Sequence, residues 1–437
     1  MQDRRLSRRN LLKGGILAAA SLAGQDLFGF GVHESERGTA KSPLGVPPEA
    51  KILFSKEYGR RRLRKVQQAI KKSGLDALVV CNRALQYITY ASNFWPYALE
   101  PGLVFVPAEG EPTLFVQTYS RIHAHALKSF VWIDDIVDVP HGAVSEGSSL
   151  NLVKECVAKL KDLKLESGRI GLAGGEVEWG LKSYLEAQYP HARIENADRV
   201  LWSLIVVKDE VEIALQRYAQ RYIDEVAYPT FLNVLKPGIP DDVVFGSVMG
   251  NMLKQGADAS TVLLFDAGPA GAYTWASGVR HRAIQKSNIV LSEPTPSVAT
   301  YQVEKMYTFA IGHDIPESQK RAAQVVYESF LVVMDELKPG REVTAVLEKC
   351  IHYIRSKGYE EPPLPIGHWI GVQNHEGPNF TIEGTRGWVL EPGMVMSWHP
   401  NLVIAGKART TCSTCVLITE KGAEDLSKIK MQPMYYV

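Results

Sequence analysis

Cysteine is scarce in this chain, with five in 437 residues. That is too few for the disulfide framework of a small secreted domain. A surplus of either charge is also missing, with 49 Lys+Arg against 48 Asp+Glu. Without a basic excess there is no stripe to neutralise phosphates, so nucleic acid is not an expected partner. Long apolar runs are absent too. Beyond one short stretch near the N-terminus, nothing approaches the 18 or more apolar residues of a membrane span, and no stable membrane anchor is expected. Neither a sequence repeat nor a low-complexity segment occurs. What remains is an ordinary globular composition, 45% hydrophobic and 22% charged. Its length suits two or three domains of about 150 residues each.

Residues 1–24 carry Arg4, Arg5, Arg8, Arg9 and Lys13, then an Ala-rich apolar run from about Ile16 to Ala23. A charged section before a short apolar one is the layout of an export signal. The string Ser7-Arg8-Arg9-Asn10-Leu11-Leu12-Lys13 closely resembles the twin-arginine signal. Without this segment the chain holds 44 basic and 47 acidic residues, a balance of −3, because five basic residues and Asp3 leave with it. The resemblance implies handling by the twin-arginine export machinery, folding with any cofactor in the cytoplasm, and a mature protein in the periplasm or outside the cell. Residues 25–50, rich in Gly, Pro and Ser, read as a linker.

From about residue 51 to 205, short apolar runs alternate with helical segments. The runs Leu75–Val80, Gly102–Val106, Pro112–Val116, Val131–Val139 and Arg169–Leu172 predict strands; Leu150–Leu163 and Trp179–Gln188 predict helices. This alternation points to an α/β domain. The basic run Arg60–Arg64 reads as a solvated helix face. Beyond residue 206 the pattern changes. Helices over Asp209–Leu235 and Gln319–Leu337 are stopped by Pro237-Gly238 and Pro339-Gly340, and another runs over about Val343–Lys357. The last 80 residues are rich in Gly, Pro and aromatics, with β-prone runs at Gly393–Trp398 and Cys415–Thr419. The second domain, 206–437, reads as α+β.

The string Gly367-His368-Trp369-Ile370-Gly371-Val372-Gln373-Asn374-His375-Glu376-Gly377-Pro378 sets two imidazoles among glycines and a proline, which suits close approach of backbone to a ligand. It resembles the signature of the peptidase clan that includes Xaa-Pro aminopeptidase, prolidase, methionine aminopeptidase and creatinase. Gly74–Leu78, Tyr87–Tyr90 and the hinge Val206–Ile213 resemble other parts of that family. The resemblance implies a creatinase-like N-terminal domain, a pita-bread catalytic domain and a homodimer. By carry-over, His368 is a metal ligand and His375 contacts the substrate or its intermediate. Glu376 and His281 are further catalytic candidates, His281 lying where the family carries a proton-shuttling histidine.

The remaining ligand positions depart from the family. Glu293 and Glu304 stand, 11 residues apart, where it has two aspartates. His399, after Leu390–Val395, replaces a glutamate, and Ser413 or Thr414 falls where the last glutamate would be. Two cations about 3.5–4 Å apart need bridging carboxylates to offset their repulsion. A hydroxyl cannot supply one. The expectation is therefore one divalent ion, iron, manganese or zinc, held by Glu304, His368 and His399, with Glu293 as a fourth ligand or beside a bound water. A metal-free pocket using histidine and glutamate as acid and base, as in creatinase, stays open. Trp369, Trp388, Trp398, Tyr301 and Tyr307 lend the expected pocket an aromatic character. Tyr307 lies near where the peptidases often have arginine. Cys412 and Cys415 form a single CxxC, read as core or pocket lining. Three functions follow: a hydrolase of a dipeptide or similar amide, a C–N hydrolase or lyase on another small substrate, and a binding protein that has lost the chemistry.

Overall fold

The computed structural model describes residues 44, 47–82, 86–95, 102–117, 128, 130–139, 148–174, 179–258, 260–270, 279–360, 362 and 364–437. The twin-arginine-like segment and nearly all of the stretch read as linker lie outside them. The chain divides into Met1–Gly45 and Val46–Val437, and the account below concerns the second unit. A short helix, Pro48–Leu53, already begins inside the stretch read as linker.

The first half carries a six-stranded sheet. Its strands are β1 (Ala77–Asn82), β2 (Gly102–Pro107), β3 (Thr113–Gln117), β4 (Asp135–Val139), β5 (Arg169–Ala173) and β6 (Arg193–Asn196), in the order β4-β3-β2-β1-β5-β6. β1 runs antiparallel to β2 and parallel to β5. Every residue of β2 and β3 is buried, so these strands read as continuous apolar runs rather than alternating ones. Helices Ser148–Asp162 and Trp179–Gln188 close one core, in which Leu152, Cys156, Leu160 and Leu185 pack on Val79, Phe105 and Phe115. The run expected over Val131–Val139 becomes strand only from Asp135. Trp132 is spent otherwise: its indole N–H donates to the Leu53 carbonyl at 3.0 Å, and its ring lies where a Cβ on Gly59 would have to go.

Helix Lys56–Lys72 corrects the reading of the basic run. Arg60, Arg61 and Arg64 are exposed, but Arg62 is buried. Its guanidinium lies 2.8 Å from Glu212, donates to the Tyr301 hydroxyl at 2.9 Å, and stacks over the Tyr58 and Tyr90 rings. Glu212 also closes the start of helix Glu210–Tyr222. Asp209 accepts from the Glu212 N–H while Glu212 accepts from the Asp209 N–H, a reciprocal capping box that satisfies two end donors. One carboxylate thus caps the first catalytic-half helix and anchors the N-terminal half to it. The long helix expected over Asp209–Leu235 is interrupted by a π-turn, Ile223–Ala227, before helix Tyr228–Val234. This rotates Asp224 inward, where it accepts from Ser427 Oγ and the Lys428 N–H.

The second half builds on β7 (Ser260–Pro269), β8 (Asn288–Val298), β9 (Tyr301–Gln302), β10 (Tyr307–Ala310), β11 (Gly367–Trp369), β12 (Val395–Trp398), β13 (Asn401–Ile404), β14 (Ala408–Thr411), β15 (Thr414–Thr419), β16 (Gly422–Asp425) and β17 (Tyr435–Tyr436). One sheet runs β17-β10-β8-β7 with β9 paired to β8, a second runs β11-β12-β15-β16, and β13 pairs with β14. Helices Glu317–Met334 and Val343–Ser356 pack against each other beside β14. Tyr301, Tyr307, Trp369 and Trp398 are at most 1% exposed. The aromatics expected to line a pocket are therefore core. Tyr307 stacks between Tyr228 and Phe309, with Tyr435 edge-on. Among the described residues no helix is long and apolar enough to cross a membrane.

Candidate active site

Antiparallel pairing sets His368 of β11 opposite Ser397 of β12, and Ser397 opposite Cys415 of β15. Directly opposed residues share a face of a sheet, so these three side chains form one row. Gly367 lets β11 approach closely, since a Cβ there would meet the Ser397 carbonyl at 2.7 Å. Glu304 lies against this row. Its backbone N–H donates to Cys415 Sγ at 3.2 Å, and the Cys415 thiol donates back to its carbonyl at 3.3 Å. Cys415 is thus a buried clamp on the Glu304 backbone, and none of the five described cysteines is in a disulfide.

The side chains of Glu304, His368 and His399 converge, with one ligand atom from each lying within 4.8 Å of the other two. Glu304 Oε1 is 3.0 Å from His368 Nε2. His368 Nδ1 sits 3.0 Å from the Trp369 carbonyl. A carbonyl only accepts, so Nδ1 carries a proton in either charge state and Nε2 faces the cluster, the usual backing of a metal-binding imidazole. His399 Nδ1 is buried and has no hydrogen-bond partner among the described residues.

These donors fit one divalent ion. Two ligand atoms about 2.0–2.2 Å from a cation at a right angle lie roughly 3 Å apart, which is the Glu304–His368 spacing. Two imidazoles and one carboxylate form a set that leaves coordination positions open. Burial works against a charge on His368, but the Glu304 charge and hydrogen bond raise it above the usual imidazole range and favour a proton on Nε2, which a bound ion would displace. Burial opposes ionisation of Glu304, but the charge and hydrogen bond of His368, with His399, outweigh it and hold this carboxyl well below the usual range. Burial and then the charge at His368 push His399 down to about 4, so it is neutral at pH 7.

Glu293 stands outside the ligand triad. It is 5% exposed on β8, near enough to Glu304 to feel its charge, while Asn374 Nδ2 donates to Glu304 Oε2 at 2.6 Å. Burial, then the Glu304 charge, push the Glu293 carboxyl well above its ordinary range. It is not among the converging donor atoms; of the two places expected for it, fourth ligand or partner of a bound water, it does not take the first and stands beside Glu304. Ser413 is fully buried with its Oγ 3.4 Å from Ser397 Oγ, and Thr414 donates to Asp425. Neither brings a carboxylate to the cluster.

His375 stacks on His368, with ring centroids 3.8 Å apart and planes 25° from parallel, and keeps an exposed edge. Burial of the rest of the ring, then the charge at His368, push it down to about 4. Glu376 turns the other way. It is 1% exposed, 2.6 Å from Lys208 Nζ, and accepts from the Val372 N–H at 2.5 Å. Lys208 also donates to the Ile205 carbonyl. With both oxygens engaged, Glu376 braces the loop that carries His375 and is not free for the acid–base role expected of it. A Cβ on Gly371 would strike Lys208 Cε at 2.5 Å, so this loop closes only around glycine. His281 is also corrected. Its side chain is 77% exposed, with its ring 3.3 Å from Asp242, on the surface and outside the cluster.

Sequence reasoning missed three supports of the site: Cys415, Asn374 and Lys208. Each lies in a string already noted, but its role comes from a partner 70 to 168 residues distant.

Residues 214–420 match the metallopeptidase family M24, and residues 62–204 match the creatinase/prolidase N-terminal domain. An uncharacterized peptidase of Bacillus subtilis (strain 168) is 24% identical over 256 residues, covering 58% of this chain and 71% of the relative. Among solved structures, the dipeptidase PepE from Mycobacterium ulcerans superposes with a TM-score of 0.74 at 20% identity, covering 88% of this chain and 99% of that one. The Xaa-Pro dipeptidase from Bacillus anthracis gives 0.71 at 21%, covering 87% and 100%. At these identities the structural likeness speaks for the fold alone.

Proposed function

The chain belongs to the Xaa-Pro peptidase/creatinase family, with a creatinase-type N-terminal domain and an M24 pita-bread catalytic domain, and from that premise we propose an exported hydrolase that works with a single divalent metal ion and cleaves a dipeptide or similar small amide. The observation that carries this reading is the convergence of Glu304, His368 and His399, with a neutral Ser413 or Thr414 where the family's last glutamate would fall. When bound, the ion supplies Lewis-acid polarisation of the scissile carbonyl and activation of water. The Trp369 carbonyl keeps His368 Nε2 aimed at the ion's place, and Cys415 fixes the Glu304 backbone. His375, neutral at pH 7 and at the open edge, is set to donate a ring N–H to oxygen as negative charge develops there.

The test is hydrolysis of Xaa-Pro dipeptides by the metal-replete full chain, before and after chelation. Turnover that needs the metal is expected; full turnover after its removal defeats the reading. A second reading, a C–N hydrolase or lyase on another small substrate, is favoured by Tyr307, which stands near the position where the peptidases often have arginine and is packed into an aromatic core. A metal-loaded chain inert toward every Xaa-Pro dipeptide selects it. Export rests on Arg8 and Arg9, and retention in the cytoplasm after Arg8→Lys with Arg9→Lys is the expected result. A homodimer rests on the family resemblance, and a monomer mass by light scattering at micromolar concentration rejects it.

A further inference from the structure

Glu304 uses its two oxygens in opposite senses. Oε1 faces His368 Nε2 at 3.0 Å, inside the ligand triad. Oε2 accepts the Asn374 Nδ2–H at 2.6 Å, outside it. A carboxylate that bridges two cations gives one oxygen to each. Here the oxygen left over after the first ion meets an amide N–H.

Resting on the single-ion reading above, we infer that the Asn374 carboxamide takes the place of a second cation at Glu304 and closes the site to one. Asn374 is 6% exposed and Glu304 fully buried, so the contact lies in the interior. Glu293, buried on β8, is the neighbouring carboxyl, near enough for the Glu304 charge to act on it. The amide thus occupies one of the two carboxyls that correspond by spacing to the family's aspartate pair. An amide hydrogen carries enough positive character to satisfy a buried carboxylate lone pair. Unlike a cation, it needs no further anionic ligands from the side of Ser413, whose hydroxyl offers none. Asn374 is accordingly a positioning residue, holding Glu304 so that only Oε1 is presented to metal.

The competing explanation is that Ser413 alone excludes the second ion and Asn374 merely supports Glu304. Mn²⁺ binding to the chelator-stripped full chain separates the two, read by calorimetric stoichiometry and elemental analysis. Four proteins are compared: wild type, Ser413→Glu, Asn374→Ala, and Asn374→Ala combined with Ser413→Glu. The expected stoichiometries are one, one, one and two. Asn374→Ala alone should also weaken the first site by about 10- to 100-fold, as loss of a ligand's hydrogen-bond support does. Two ions in Ser413→Glu alone, or one in the double variant, overturns the inference. Two ions in the wild type instead defeats the single-ion reading on which it rests. Where Asn374→Ala fails to fold by circular dichroism, Asn374→Ser, too short to reach Glu304 Oε2 as the amide does, enters the same comparison under the same criteria.

Discussion

Two buried charged regions meet in this molecule, and they are finished differently. At the seam around the hinge, Lys208 pairs with Glu376, both side chains fully buried, and Arg62 pairs with Glu212. Every partner there has further hydrogen bonds: Ile205 and Val372 on one pair, Tyr301 and the Asp209 N–H on the other. At the triad of Glu304, His368 and His399, donor atoms converge, and His399 Nδ1 has no hydrogen-bond partner among the described residues. Buried polar groups left open are costly, and a fold keeps them where a ligand completes them. The seam is closed on itself and structural; the triad is open and chemical.

Three substitutions sharpen this contrast, in descending order of effect. His399→Ala removes a donor from the open region, so metal and essentially all turnover should vanish, a loss above about 100-fold. Elemental analysis with a dipeptide assay checks it, and a variant that keeps both breaks the contrast. Lys208→Met strands Glu376 in the closed region and should cost about 3–5 kcal/mol by denaturant unfolding while the folded fraction retains its metal. Replacing Glu376 with Leu as well should recover much of that loss, since an apolar pair needs no partner. His375→Ala should spare the metal and lower kcat by about 100- to 1000-fold. That effect carries a pH signature. His375 is pushed down to about 4, so its ring stays neutral above that value and its share of kcat/KM should not change with pH there. An acid limb of kcat/KM near 6.5, where an unperturbed imidazole titrates, contradicts the assignment.

Much of the fold was legible because its periodicities are strong. The buried strands β2 and β3 and the proline–glycine helix stops announce themselves locally. The segment Gly367–Pro378 located His368 because glycine spacing and imidazoles sit in one string. What sequence could not show was the side to which a residue turns. Arg62 sits in a run of arginines that otherwise face water, and only Glu212, 150 residues on, draws it inward. Glu376 adjoins His375 yet points to the hinge, because its counter-ion is Lys208, 168 residues earlier. The π-turn at Ile223–Ala227 turns Asp224 inward, and Pro229, two residues beyond it within the expected helix, is the one local sign of a break. His281 was placed by counting along a string, and counting carries no information about a left-handed turn with φ of 53° at the surface.

The claim that the open region holds one ion is tested most directly by counting metal in the full chain, folded in the cytoplasm and purified without chelator. One divalent ion per chain, released by His399→Ala, is the result this account predicts. Two ions per chain, or a fully active protein with none, would contradict it.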